Sequence, residues 1–446
     1  MENEKQHKRT IFSWVMYDWG NSAFATTIMA AVLPIYYSSL VTKDAGLPEN
    51  IGTAYWGYTT SIAMLIIAIL SPILGAIADF QGSKKKMLTI FMLIGVTGTA
   101  LLYLVGIGEF LHEKNYLAAS IFFIIGNIGF AGSLVFYDSL LPHITRPDEV
   151  DQVSTRGYAM GYLGGGLLLA INLGMIMAIP KLFQDESLTA LMTRLSFVTV
   201  AIWWFVFTIP LLRNIHEPPR RILSGEEKFN PLQASFSRLR QTFREIRQYR
   251  DLFLFLIAFW LYANGIGTII SMAAIYGTEL KIDSTWLIGT LLMVQFVGIP
   301  FSFLFGWLAR RIGTKQSIYI SLAIYTCIAI AGSFVQVGWH FLALGAAVAT
   351  VQGGSQALSR SLISRLMPKS KSAEFYGFFS VTEKFSSIAG PFIFGVVSQL
   401  MGSSRLAIVS LIIFFVLGAF VLTQVNVKKG IETADFEEAK LLQIAL

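Results

Sequence analysis

Twelve runs of roughly twenty apolar residues, separated by short polar connections, constrain this chain more than any other feature. A helix rises about 1.5 Å per residue, so each run matches the roughly 30 Å of hydrocarbon in a bilayer. The runs fall near 13–39, 54–78, 87–107, 117–141, 157–180 and 195–212, and again near 252–277, 285–309, 316–338, 340–366, 375–400 and 405–425. Only 14 % of the residues are charged and 54 % are hydrophobic, against about 25 % charged in a soluble domain. The expectation is an all-α integral membrane protein of about twelve transmembrane helices.

The net charge of +7 would suit a nucleic-acid binder if the basic residues formed a patch. Instead they fall between the apolar runs, which is how a bilayer orients a protein. Lys5, Lys8, Arg9, Lys84, Lys85, Lys86, Arg146, Arg156, Arg310, Arg311, Lys315, Arg365, Lys369, Lys371, Lys428 and Lys429 gather on one side, with the basic loop between spans 6 and 7. The other side holds only Lys43, Lys114, Lys181, Arg194, Lys281 and Arg405. Both termini are therefore expected in the cytosol, in a plasma or inner membrane, with lipid and no nucleic acid as the surroundings. Met1 to Thr10 is polar and basic, so no cleaved signal peptide is expected.

The loop near 213–251 divides six spans from six. The expected organisation is a six-helix half over 1–212, a basic linker over 213–251, a second half over 252–427 and a cytosolic tail over 428–446. Within the linker, Leu232, Phe236, Leu239, Phe243 and Ile246 recur at helical spacing opposite Arg238, Arg240, Arg244, Arg247 and Arg250, which predicts an amphipathic helix on the anionic leaflet.

Enzyme chemistry finds no foothold. The single cysteine, Cys327, excludes an intramolecular disulfide and a zinc cluster. His7, His112, His143, His216 and His340 are scattered, and no HExxH, GxSxG or P-loop is present. No cofactor and no metal are expected. Without an ATP motif, movement of a solute has to be passive or driven by an ion gradient.

Gly75-Ala-Ile-Ala-Asp79-Phe-Gln-Gly82-Ser-Lys84 follows span 2, and Gly306-Trp-Leu-Ala-Arg310-Arg-Ile-Gly313-Thr-Lys315 follows span 8. Glycines at one interval after equivalent spans mark a duplicated six-helix unit. The first copy resembles the loop 2-3 signature of the major facilitator superfamily, with Phe80 and Ser83 in place of its usual basic residues. That resemblance implies two six-helix halves related by a pseudo-two-fold axis. Glycine allows close approach and the tight turn, and an acid is favoured beside a helix N-terminus. Gly75, Asp79, Gly82 and Lys84 are therefore gating candidates. Arg310 replaces the acid in the second copy, so the latch is expected to be one-sided.

Three further stretches narrow the match. They are Tyr17-Asp18-Trp19-Gly20-Asn21-Ser22-Ala23-Phe24 in span 1, Gly157-Tyr-Ala-Met-Gly161-Tyr162-Leu-Gly164-Gly165-Gly166 in span 5, and Gln352-Gly-Gly-Ser-Gln356-Ala-Leu-Ser359-Arg360-Ser361 in span 10. Together they resemble the branch that includes vacuolar amino-acid effluxers and their bacterial relatives, over essentially the whole chain. The resemblance implies a transporter of a small solute, an amino acid or related zwitterion, with a proton or cation as the coupling partner. Ala263-Asn264-Gly265 departs from the Asn-Asp-Gly that members often carry in span 7.

Charge within hydrocarbon costs about 2.5 to 3.5 kcal/mol per residue on insertion scales, which makes intramembrane ionisable groups functional candidates. Asp18, Arg360 and Glu383 are candidates for substrate binding or coupling, joined by the uncharged Asn21, Asn264 and Gln356. A guanidinium suits a carboxylate, so Arg360 is read either as an anchor for an anionic substrate group or as a permanent partner of Glu383 at equal depth. Asp138, near the end of span 4, is expected to partner the basic loop 2-3 and joins the gating set. Gly157, Gly161 and Gly165 form a stripe for close helix approach. Two other functions fit the same fold, a lipid translocator and a membrane receptor that binds without transport.

Overall fold

The computed structural model describes residues 2–41, 45, 49–107, 115–219, 230, 233, 237, 240, 249–401 and 404–444. Among them every regular element is helical. Helix α1 (Glu2–Ala23) runs through a π-helical stretch, Phe24–Ala31, into α2 (Val32–Ser39). Then come α3 (Glu49–Gln81), α4 (Lys84–Leu101), α5 (Asn115–Ile144), α6 (Val150–Phe183) and α7 (Leu188–Asn214). After the linker follow α8 (Arg250–Glu279), α9 (Ser284–Ile312), α10 (Thr314–Gly332), α11 (Gly338–Leu366) and α12 (Ser372–Met401). The last elements are α13 (Ser404–Ser410), α14 (Ile412–Thr423) and α15 (Val427–Ile444).

Among the described residues nine helices are long and apolar enough to cross a membrane. The helical stretches at 2–39, Thr314–Gly332 and Ser372–Met401 occupy the positions expected of spans 1, 9 and 11. Many helices exceed the apolar runs, because hydropathy marks the hydrocarbon crossing while the helix continues through polar turns. Thus α6 starts at Val150, seven residues before the expected span. Large apolar side chains such as Ile69, Phe303 and Phe420 lie 59, 47 and 61 % exposed, a surface that only lipid can cover without cost.

The described chain divides into two compact units, one of Met1–Ile67, Lys85–Leu134 and Met160–His216, the other of Ala68–Lys84, Val135–Ala159 and Glu217–Leu446. In the first unit, Phe24 opens the π-helical stretch and stacks on Phe123 and Phe130, with Trp204 tilted against it. Gly161 and Gly164 of α6 lie against Ser22 and the Trp19 carbonyl, where a Cβ has no room. Thr26 donates to the Gly165 carbonyl at 3.1 Å. The glycine stripe of span 5 is thus a seat for span 1.

In the second unit the core runs through Phe255, Tyr262, Tyr325, Leu362, Tyr376 and Phe415. It also holds the ends of α3 and α5 and the start of α6, all at the basic ends of their helices. Helix α15 packs there through buried Gly430 and Ala434, and Glu438 accepts the Ser370 amide and hydroxyl at 2.9 and 2.7 Å. The apolar face expected of the linker helix lies outside the described residues. Among the described linker residues, Asn230 and Gln233 exchange amide-to-side-chain hydrogen bonds at 3.3 and 2.8 Å.

Candidate functional site

The second unit gathers three acid-centred nodes at the basic ends of its helices. Each begins from the chain's local geometry.

The first is the turn between α3 and α4. Gly82 takes φ 62, a left-handed conformation that suits glycine, and the Ser83 amide closes on the Ala78 carbonyl at 3.0 Å. The turn brings Asp79 back beside Lys84, with Oδ1 2.9 Å from Nζ and both side chains almost fully buried. One helical turn earlier, Gly75 lies against the Ala373 carbonyl so closely that a Cβ would collide with it. That approach lets Asp79 reach the N-terminus of α12, where it accepts the amides of Ala373 at 3.3 Å and Glu374 at 2.8 Å. The first N–H groups of a helix have no intrahelical partner and carry the positive end of its dipole, so the carboxylate satisfies both.

The second copy of the loop is built the same way with a base in place of the acid. Gly313 takes φ 95 and Gly306 lies against the Thr155 side chain of α6. Where the first copy has its acid, the second has Arg310. With the Gln152 amide oriented to satisfy both groups, Arg310 Nη1 and Nε donate to its oxygen at 3.0 and 2.9 Å. The acid sits instead on the helix being approached. Asp151, in the first turn of α6, accepts from Thr314 Oγ1 at 2.8 Å and Arg365 Nη2 at 2.7 Å, and from the Ser361 hydroxyl. The second copy, expected to lack an acid, thus meets one supplied by the neighbouring helix. Asp151 was invisible in the loop signature because its carboxylate comes from span 5.

The third node is Arg360, 3 % exposed. Nη1 donates to Asp138 Oδ1 at 3.1 Å, Nε to Ser154 Oγ at 2.9 Å and Nη2 to the Ser154 carbonyl at 2.8 Å. The Tyr137 and Tyr158 rings flank it, 5.6 and 4.5 Å from the guanidinium carbon. Tyr376 donates to the Arg360 carbonyl at 3.0 Å. The ionic partner here is Asp138, where equal depth along the chain had suggested Glu383. The Glu383 side chain is 47 % exposed beside Lys384, 3.7 Å away, because its helix face points out of the node. Asp138 meets Arg360, and Lys84 of the basic loop meets Asp79.

Asn264 is fully buried and donates to the Trp260 carbonyl at 2.6 Å within its own helix; its carbonyl oxygen, Oδ1, has no hydrogen-bond partner. Gln356 is half-buried on α11. In the first unit Asp18 and Asn21 are 7 and 2 % exposed, and Tyr17 beside them donates to Ser133 at 2.7 Å. Asp18 and Asn21 thus stand in one unit, Asn264, Gln356, Arg360 and Glu383 in the other. Among the described residues no cluster of metal-ligating side chains occurs.

A sequence profile of the family described as vacuole effluxer Atg22 like matches residues 6–435. The chain is 40 % identical over 410 residues to the uncharacterized MFS-type transporter YxiO of Bacillus subtilis (strain 168), covering 92 % of this chain and 93 % of that one. It is 24 % identical to autophagy-related protein 22-1 of Penicillium rubens, over 95 % of this chain and 90 % of the relative. Among solved structures, the proton:xylose symporter XylE superposes with a TM-score of 0.71 at 15 % identity, over 95 and 96 % of the two chains. The human organic anion transporter MFSD10 gives 0.68 at 14 % identity, over 93 and 99 %.

Proposed function

We propose that this chain, which belongs to the vacuole effluxer Atg22-like family of major facilitator transporters, moves a small zwitterionic solute such as an amino acid by alternating access, closing its cytosolic side through the three acid-centred nodes. The observation that carries this reading is the duplicated loop. Gly75 to Lys84 seats on the N-terminus of α12 through Asp79, and Gly306 to Lys315 seats on the start of α6 through Asp151. A carrier needs an element with two discrete arrangements, and polar contacts at helix ends can break and reform without exposing an apolar core.

In this reading residues 1–212 and 252–427 are the moving halves, 213–251 tethers them, and both termini face the cytosol. Gly75, Asp79, Gly82, Lys84 and Asp138 serve the gate, to which Arg360, Asp151 and Arg365 are added. Arg360 has a carboxylate and two serine oxygens on its fork already, which favours a gate role over a standing anchor for substrate. Asp18 and Asn21 remain the candidates for the substrate ammonium or a coupling proton, with Asn264 and Gln356 as neutral contacts.

Purified protein in liposomes, loaded with a pH or sodium gradient and offered labelled amino acids, tests the proposal. Gradient-dependent accumulation that Asp79→Asn abolishes is the expected result. Binding without flux would identify a receptor, and movement of a labelled phospholipid in place of solute a lipid translocator; either overturns it.

A further inference from the structure

We infer that His143 is a proton-binding group of this gate, and that its protonation releases the Gly75 to Lys84 loop from α12. The inference rests on the reading of that loop as a gate and names the residue through which a proton acts on it.

An ammonium has three N–H donors and no acceptor. The Lys84 ammonium has Ser372 Oγ at 2.6 Å, His143 Nε2 at 2.7 Å and Asp79 Oδ1 at 2.9 Å around it, with the Lys369 carbonyl at 3.5 Å. The Ser372 hydroxyl proton goes to the Ser139 carbonyl at 3.0 Å, so its oxygen is free to accept from Lys84. His143 Nε2 also lies 3.1 Å from Ser372 Oγ, but its shorter contact is with the Lys84 ammonium, which can only donate. His143 Nε2 has to offer a lone pair, which only the neutral imidazole with its proton on Nδ1 can do. A proton added at Nε2 turns that acceptor into a donor 2.7 Å from a donor-only cation, in a place where Lys84 is 3 % exposed, and leaves it only Ser372 Oγ at 3.1 Å to bond, so the Lys84 contact is lost.

The charged groups around the imidazole come from every helix packed there. They are Asp79 from α3, Lys84 from α4 and Asp138 on the same helix as His143, which is held by Arg360; flanking Ser372 in sequence are Glu374 in the first turn of α12 and Lys369 and Lys371 in the turn before it, the Lys371 ammonium lying 5.7 Å from the Tyr249 ring. Asp79 already neutralises Lys84, and Lys369 and Lys371 offset Glu374, so an added proton finds no surplus of negative charge. What it destroys is the match of donors to acceptors. Once Lys84 is displaced, Asp79 loses its counter-ion and Ser372 its donor, and Ser372 is the first residue of the helix whose Ala373 and Glu374 amides hold Asp79. The released loop binds one proton more than the seated one. By linkage, acidification favours release and alkalinity favours the seated state.

Hydrogen exchange of the Ala373 and Glu374 amides, in full-length protein in liposomes and corrected for intrinsic chemical rates, reads the gate without needing a substrate. In the wild type, protection should fall from pH 7.5 to pH 5.5, by up to about tenfold per pH unit for a single proton. His143→Gln keeps an acceptor oxygen that cannot titrate, so protection should stay high and flat with pH. His143→Lys, a cation throughout, should give low protection at both ends. Should the glutamine variant fold poorly, Lys84→Met serves in its place, since without the ammonium a proton on His143 meets no opposing donor and the pH slope should vanish. The same slope in wild type and in the variant, or no slope in the wild type, overturns the inference. A protein that shows this pH response yet carries no solute would leave the proton site standing and remove the transport reading alone.

Discussion

Asp79 accepts the backbone N–H of Glu374 at 2.8 Å across 295 residues of chain, while its other oxygen holds Lys84 at 2.9 Å. One carboxylate thereby satisfies an orphan helix amide and a buried cation together, and the amide contact forms only when the loop is seated on α12.

Asp79→Asn keeps an oxygen for one amide but leaves the Lys84 ammonium without its counter-charge. Breaking a buried ion pair from one side costs about 3 to 5 kcal/mol, because the remaining charge stays desolvated. The variant should melt at a clearly lower temperature in detergent, and Asp79→Asn combined with Lys84→Met should recover part of the loss. A double variant as unstable as the sum of the two singles would mean that the pair contributes nothing beyond its separate residues.

Arg360 and Asp138 should be coupled in the same way. Arg360→Gln and Asp138→Asn are each expected to lower thermal stability, with the double variant little worse than Arg360→Gln alone. Arg360→Lys should not restore it, since a point charge cannot serve Asp138, Ser154 Oγ and the Ser154 carbonyl from one planar fork. Glu383→Gln should shift stability by less than about 0.5 kcal/mol, as befits a half-exposed pair. A large coupling between Arg360 and Glu383 in a double-mutant cycle would contradict this arrangement.

Orientation is open to direct labelling. In a Cys327→Ser background, needed because Cys327 is exposed, cysteines at Ala45 and Asp283 should react with an impermeant maleimide added to intact cells, and one at Gly225 should react only after lysis. Reaction at Gly225 in sealed cells would invert the topology.

The helices, the repeat and the loop turn were legible because each follows from a local rule: apolar length for a span, and glycine at a fixed interval for the repeat and its left-handed turn. Gly82 and Gly313 take the positive φ that their spacing required. Partner choice was not legible, since it depends on which helices meet. Depth counted along the chain set Arg360 level with Glu383, yet depth says nothing of azimuth, and Asp138 is the acid on the facing side. Asp151 and His143 escaped notice for a related reason: both lie at helix ends, where a charged residue reads as a topogenic signal until its neighbours are known. The π-helical stretch at Phe24–Ala31 has no sequence pattern of its own and reflects the packing of Phe24 among Phe123, Phe130 and Trp204.

The two copies of the loop should differ in their tolerance of a single methyl group. At Gly75 an added Cβ meets the Ala373 carbonyl, which is main chain in the first turn of α12 and cannot move without dragging the amides that hold Asp79. Nearby, Gly377 of α12 faces Pro72 of α3, where a Cβ would come within 2.7 Å of the proline Cα, so the two helices have no slack along this seam. At Gly306 the added Cβ meets the end of the Thr155 side chain, which can turn away at the cost of one hydrogen bond to the Asp151 carbonyl, 2.8 Å long. Overpacking that forces backbone to shift costs about 1 to 3 kcal/mol, and less where a side chain can rotate. Gly75→Ala should therefore unseat its loop, seen as lost exchange protection at Ala373 and Glu374, whereas Gly306→Ala should leave the Thr314 to Asp151 contact in place and lower stability only slightly. Equal effects at the two positions would mean that close backbone approach is not what the glycine at 75 provides.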